Sequence, residues 1–505
     1  MIQRSHRGTP ASFAVLVAAL GIIGAATAAP TTPAPTTPTP NTPTPSAAKT
    51  PTKPSASAQK AHDQILKAYG VYGDQALQDY VGEVGQRIAR QSTMPDAEFK
   101  FVVLDDDSIN AFTTGCCFVY VHRGLLTHLN SEAELAAVLG HEIAHVTQKH
   151  PQKQMTRGVL ATLATVAAAI ATNSGAVGDL ANLGAQAWVQ GYGRDAELEA
   201  DRVGLQFSTR AGYRPEAMGE VFNMFKQGER FEMDRARAEG REPRIYHGLF
   251  ASHPAPDARA VQAAKGAAKL DTDPQGGWID NREQYLKRID GLVYGSSRAQ
   301  GIVRENRLYH AELGITMAFP RGWTVENQRD RLFAYTRNKD TVMQVTLKEV
   351  PPMQSPREFL LTELRGQYLL GGEPITVNGM DGYMVRTASG SPLDNGAGPV
   401  RWITLFRGKS AYLFAGASRA SRAGVPEADG LFQSAASTLR PLKPSEYPLA
   451  EPYRLKVLTA AADTRLEDHA ADVPLEKFQK EELLLLNGLY PDRKLQSGNL
   501  YKVVE

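Results

Sequence analysis

Apolar positions change their period along this chain, and the change of period marks the elements. From about residue 59 to 266 the dominant spacing is helical: Tyr80, Val84, Ile88 and Ala89 recur on one stripe, and Leu135, Val138, Leu139 and Val146 on another. Ser131 and Glu134 make a capping-box pattern ahead of the second stripe and Pro151 follows its basic end, which predicts a helix between them. A further helix is predicted from Asp195, carrying Leu198, Val203, Leu205 and Phe207 and stopping near Gly212 and Pro215. One extended island interrupts this texture at 99–122, where residues 99–104 and 118–121 are β-branched or aromatic runs between Asp and Gly turn signals. Helices with a small sheet make 59–266 an α+β domain.

After a connector at 267–305 the texture turns to strands across 306–443, at 314–319, 332–336, 342–350, 375–385, 402–407 and 411–415. Asn378-Gly379 between apolar runs predicts a tight hairpin, and helical stretches near 357–368 and 428–439 are expected to cover one face of an antiparallel sheet. No catalytic cluster appears in this middle α+β domain. The last unit, 452–505, reads strand, helix, helix, strand: residues 454–458, a turn at Asp463-Thr464, residues 481–486, Asn487-Gly488-Leu489, then residues 500–504. It resembles a LysM module, a small βααβ fold, which implies contact with N-acetylglucosamine polymers such as peptidoglycan. Ala462 stands where that module usually has glycine before Asp-Thr, so packing or protein docking stays open as its role. The fold class expected is multidomain α+β.

Length agrees, since 505 residues suggest about three domains of roughly 150 residues. With 56 Lys+Arg against 54 Asp+Glu the net charge is only +2, so no bulk electrostatic argument favours nucleic acid as a partner. The N-terminus, 1–28, reads as a cleaved signal peptide: Arg4 and Arg7, an apolar stretch at 13–23, then Ala26-Thr27-Ala28 as the cleavage site near Ala28. Residues 29–58 read as a Pro/Thr-rich disordered linker, with nine prolines between Pro30 and Pro54. The apolar run at 158–178 is too short and too interrupted by Thr, Asn and Ser for a membrane span, and is expected to be a buried or cleft-lining helix, with transient membrane contact as the alternative. Cys116 and Cys117 are adjacent; a bridge across a trans peptide is geometrically poor, and strand alternation would send the thiols to opposite faces.

The chemistry concentrates in His141-Glu142-Ile143-Ala144-His145. Inside a helix, residues four apart share a face, so both imidazoles can converge on one zinc ion, Zn2+, with Glu142 offset toward a water. A catalytic zinc needs a third protein ligand, and Glu197 and Asp201, four apart on the second predicted helix, are the candidates: one to bind metal, the other to accept a hydrogen bond from a ligand imidazole.

Asn110-Ala111-Phe112, His141 to His145, Glu197-Leu198-Glu199-Ala200-Asp201 and Ser252-His253-Pro254 with Arg259 beyond together resemble the gluzincin metallopeptidases that include the CAAX prenyl endopeptidase and periplasmic proteases of the BepA type. The resemblance covers about 69–259 and implies a zincin-like fold. It implies His141, His145 and Glu197 as metal ligands, Glu142 as general base and acid, and Asp201 as support for a ligand histidine. It also implies His253 near the metal, either stabilising an oxyanion or occupying the open coordination position in a latent state; a plain loop histidine is the alternative. The strand at 111–121 resembles that family's cleft edge, where an extended substrate pairs through its backbone. His122, His128, His150 and His247 are expected to be structural, and Glu199 to be a solvated carboxylate. The expected activity is a periplasmic zinc endopeptidase acting on unfolded or misfolded envelope proteins; a cell-wall-associated binding or chaperone-like protein with a latent site is the alternative.

Overall fold

A computed structural model describes residues 52–151, 192–240, 243, 259, 265–266, 277–327, 331–393, 398–419, 428–475 and 477–505. The leader 1–28, most of the linker 29–58, the apolar stretch 158–178, His247 and His253 lie outside the described residues. Helix α1 (Ala56–Tyr69) starts inside the stretch read as linker, because the Ser55 side chain accepts from the Ala58 N–H and caps it. Helix α2 (Gln75–Ala89) is capped by Asp74 and buries Leu77, Tyr80, Val81, Val84 and Ile88.

Strand β1 (Lys100–Leu104) pairs in parallel with β3 (Phe118–His122), and β2 (Ala111–Thr113) pairs antiparallel with β3, so β1 and β2 are the two edges of the sheet. The single edge strand expected at 111–121 is therefore a hairpin: of its two strands β2 lies at an edge, and β3 is central. Cys116 and Cys117 fall in the turn between the two strands, where alternation does not operate. They are joined by a disulfide across a cis peptide bond and both are buried, which corrects the expectation of thiols on opposite faces.

Helices α3 (Arg123–His128) and α4 (Glu132–Thr147) follow. Ser131 Oγ accepts from the Glu134 N–H at 3.2 Å as the capping pattern requires, whereas the Glu134 carboxylate accepts from the Asn130 N–H, one residue earlier than a standard box. Helix α4 is buried nearly throughout, and α5 (Arg194–Arg210) crosses it at Gly140 and Gly204. A Cβ on Gly204 would stand 2.7 Å from the His141 N, and one on Gly140 2.8 Å from the Gly204 O. Only a glycine pair permits so close a helix crossing. Helix α6 (Ala217–Glu239) ends at Gly240 in the left-handed region, and α7 (Arg282–Arg288) and β4 (Val293–Tyr294) lie in the connector.

The middle segment holds two sheets rather than one. Strands β5 (Ile302–Arg304), β6 (Arg307–His310) and β7 (Ile315–Ala318) form a four-stranded sheet with β15 (Arg440–Pro441). An antiparallel seven-stranded sheet has the order β11-β12-β13-β14-β10-β9-β8, from β8 (Thr324–Asn327), β9 (Arg331–Tyr335), β10 (Thr341–Glu349), β11 (Leu369–Val377), β12 (Met380–Thr387), β13 (Val400–Arg407) and β14 (Ser410–Ser418). Asn378 and Gly379, with φ of 49° and 78°, make the expected two-residue turn between β11 and β12. Helices α8 (Pro356–Glu363) and α9 (Asp429–Ser437) do not share a face. Phe414 packs with Phe432 of α9, while its neighbour Leu413 packs with Leu360 of α8. Successive strand residues point to opposite faces, so the sheet is covered on both sides because β14 is apolar on both.

In the C-terminal unit β16 (Tyr453–Thr459) pairs antiparallel with β17 (Leu500–Val504) and also with β4. A 3-10 turn (Leu466–Asp472) and helix α10 (Gln479–Leu486) connect the two strands. Leu455, Leu483, Tyr501 and Val503 belong to one hydrophobic core with α2, α4 and α6. The fully buried Lys502 donates from Nζ to the Thr127 and Leu129 carbonyls at 2.7 and 2.9 Å, tying β17 to the end of α3. Burial drives its ammonium well below the usual lysine range.

Candidate metal centre

Helix α4 presents His141 and His145 one turn apart, and their Nε2 atoms approach to 2.9 Å with the rings at 80°. Helix α5 brings the Glu197 carboxylate opposite, with Oε2 3.6 Å from His141 Nε2 and Oε1 3.4 Å from His145 Nε2. One donor atom from each of the three lies within 4.8 Å of the others, the one such cluster found among the described residues, and all three side chains are buried. The glycine crossing explains the convergence: with His141 itself at the contact, the helices sit close enough for a glutamate side chain to bridge them. Glu142 is fully buried beside this cluster.

The far nitrogen of each imidazole is also held. His141 Nδ1 lies 2.9 Å from Asp201 Oδ1, and Arg259 grips Asp201 with two 2.6 Å bonds from Nε and Nη2 while its Nη1 reaches Glu197 Oε2 at 3.1 Å. Burial alone would raise the Asp201 carboxyl, but hydrogen bonds from Arg259 and His141 outweigh it and hold the group below its usual value. The Arg259 guanidinium stands 4.8 Å over the Phe222 ring, so its position is set from two sides. His145 Nδ1 lies 2.8 Å from His150 Nδ1, and His150 Nε2 lies 3.2 Å from Glu199 Oε2. The Tyr192 ring stacks on His145 at 4.0 Å and its hydroxyl donates to the Thr113 carbonyl of the edge strand β2 at 3.4 Å. Burial, with Glu142 and Glu197 nearby, pushes its phenol well above the ordinary range.

This environment fits a divalent cation. Two imidazole nitrogens and a carboxylate oxygen are a usual zinc donor set. The Asp201 carboxylate accepting at His141 Nδ1 leaves that ring's Nε2 lone pair directed toward His145 and Glu197. Glu142, Glu197 and Asp201 also put three buried carboxylates around Arg259.

The structure thus brings together His141, His145, Glu197, Glu142 and Asp201 from the sequence set, while His253 lies outside the described residues. Two expectations change. His150 is not a detached structural histidine but touches His145, whereas His122 bonds Ser108 and Asp106, and His128 bonds the Gly124 carbonyl. Glu199 is only 38 % exposed and pairs with His150 rather than with solvent alone. Arg259 carried no role in the spacing argument, and nothing local announces that a residue 58 positions away clamps Asp201.

A histidine pair and glutamate on one helix, completed by a glutamate from a second helix, are the donor pattern of gluzincin metallopeptidases. Residues 75–267 match the model of Peptidase family M48. It is 32% identical over 212 residues to a beta-barrel assembly-enhancing protease of Yersinia pestis, covering 40% of this chain and 41% of that protein. The protein of the same name from Escherichia coli K12 is 27% identical over 221 residues, covering 41% and 42%. The mitochondrial metalloendopeptidase OMA1 of Schizosaccharomyces pombe is 32% identical over 180 residues, covering 34% and 52%. The chain spans about two fifths of the length of the bacterial relatives.

Proposed function

We propose that this chain is an exported zinc endopeptidase that hydrolyses peptide bonds in unfolded or misfolded envelope proteins of the periplasm. The observation that carries the reading is the buried convergence of His141, His145 and Glu197 beside Glu142. A zinc ion held there would polarise a substrate carbonyl and lower the pKa of water toward about 7. Glu142 takes the proton of the attacking water and delivers it to the departing amine. Asp201, fixed by Arg259, keeps the His141 proton on Nδ1. His253 is assigned to the developing oxyanion or to the open metal position. Edge strand β2 suits a substrate in extended form, since backbone pairing tolerates many sequences and an unfolded chain offers it. The names of the bacterial relatives support an envelope substrate, the composition of 1–28 supports export, and no described helix is long and apolar enough to cross a membrane.

The test is cleavage of casein and of an unfolded outer-membrane protein by the purified chain. Glu142→Gln should lose at least roughly a hundredfold in rate while retaining zinc; undiminished cleavage would remove Glu142 from the mechanism.

A second reading, cell-wall contact through 452–505, draws on an open groove of about 540 Å³ lined by Arg282, Asn487, Arg493, Lys494, Gln496 and Asn499 together with Leu489, Leu495 and Leu500. Cations and amides suit a polar polymer bearing carboxylates, such as peptidoglycan. Co-sedimentation with purified cell wall should weaken in Arg493→Glu/Lys494→Glu; unchanged retention removes this groove from the interaction.

A further inference from the structure

The two metal-site histidines are held by different means. Asp201 meets His141 Nδ1 directly, whereas on the Nδ1 side of His145 the carboxylate of Glu199 acts through another imidazole. Helix α4 stops at Thr147, and Lys149 adopts a left-handed φ of 58°, unusual for a residue with a side chain. That reversal carries His150 back beneath the helix it has just left. There it is buried, with its ring 4.9 Å from the His145 ring at 71°.

Proton placement fixes the direction of this chain. An imidazole whose Nε2 lone pair faces a cation keeps its ring proton on Nδ1. His145 must then donate across the 2.8 Å contact, His150 Nδ1 must accept, and the remaining His150 proton sits on Nε2, facing Glu199 Oε2 at 3.2 Å. In that arrangement the His145–His150 and His150–Glu199 contacts each pair one donor with one acceptor. Helix α5 therefore serves the centre three times: Glu197 at the metal position, Asp201 behind His141, and Glu199 behind His150.

Resting on the reading of His145 as a ligand, we infer that His150, oriented by Glu199, is a positioning residue that fixes the ring and tautomer of His145. It touches neither substrate nor metal. Its role is to accept one hydrogen bond, which separates it from a side chain that only fills space.

The experiment measures zinc affinity of the full chain by competition with a chromophoric chelator, and the visible spectrum of the cobalt(II)-substituted protein. His150→Phe keeps ring volume and removes the acceptor; His150→Asn places an amide oxygen where Nδ1 stood. Phe should weaken zinc binding roughly 10- to 100-fold and alter the cobalt spectrum, and Asn should return affinity to within about threefold of the unaltered chain. Equal affinity in the Phe variant, or an Asn variant no better than Phe, overturns the inference. If near-ultraviolet circular dichroism shows that the Phe variant does not fold, Glu199→Ala decides: a loss of roughly threefold or more supports the relay, and unchanged affinity overturns it. If the unaltered chain holds no zinc, the metal reading itself fails, an outcome distinct from tight binding that ignores position 150.

Discussion

Replacing Gly204 with alanine tests how the second helix delivers its glutamate. The new Cβ would stand 2.7 Å from the His141 N and 2.8 Å from the Gly140 C and O, all backbone atoms that no rotamer change can move. Ordinary contact begins at 3.4 Å, so α4 and α5 must separate by the difference, 0.7 Å, at the crossing. Metal-ligand distances tolerate roughly ±0.2 Å, so a displacement of that size takes Glu197 out of bonding range unless the helices bend. Zinc affinity should fall by roughly tenfold or more, and the metal-free chain should lose about 1–3 kcal/mol of stability to overpacking. Gly219→Ala is the control, because a Cβ there meets no described atom within 4 Å and helix propensity alone should stabilise α6 by up to about 1 kcal/mol. Chelator competition and urea unfolding of both variants settle the matter. A Gly204→Ala protein with undiminished zinc affinity and stability refutes the argument that this close crossing builds the site.

Two further perturbations address the frame around the centre. Burial lowers the His128 imidazole to about 4, so between pH 6.5 and 4 the unfolded chain binds the proton that the folded one refuses. Stability is therefore intact above pH 6.5 and falls on acidification; the interval of 2.5 pH units at 1.36 kcal/mol each comes to about 3 kcal/mol. His128→Asn should flatten the urea-derived stability profile over that window, and an unchanged slope would assign the acid sensitivity to other groups. Lys502→Met strips two buried carbonyls of their donor and should destabilise the chain by about 3 kcal/mol in urea unfolding. A change under about 0.5 kcal/mol would mean that β17 does not depend on that anchor.

What could be read from the sequence is what neighbouring residues encode. Ser131, the apolar stripe and Pro151 are local signals, and they place the HExxH segment in a helix whose ends agree with α4. The four-residue spacing of Glu197 and Asp201 is likewise a property of one helix, and both side chains face the histidine pair. His150 lay beyond such reasoning, because its approach to His145 depends on one left-handed lysine past the helix end. Strands β6 and β8 went unforeseen because Arg307–His310 and Thr324–Asn327 are four-residue stretches with little apolar content, held by pairing rather than by pattern. The placement of α8 and α9 on opposite faces followed from β14 being apolar on both sides, which a strand-by-strand reading registers as hydrophobic without saying what covers each face. The docking of 452–505 includes the Lys502 anchor, whose partners lie 375 and 373 residues away.

Zinc content after exhaustive dialysis, measured by mass spectrometry on the unaltered chain and on Glu197→Ala, bears most directly on the claim that two helices share one cation. The account predicts about one zinc per unaltered chain and loss of nearly all of it in the variant. A Glu197→Ala protein that keeps its zinc as tightly as the original would contradict it.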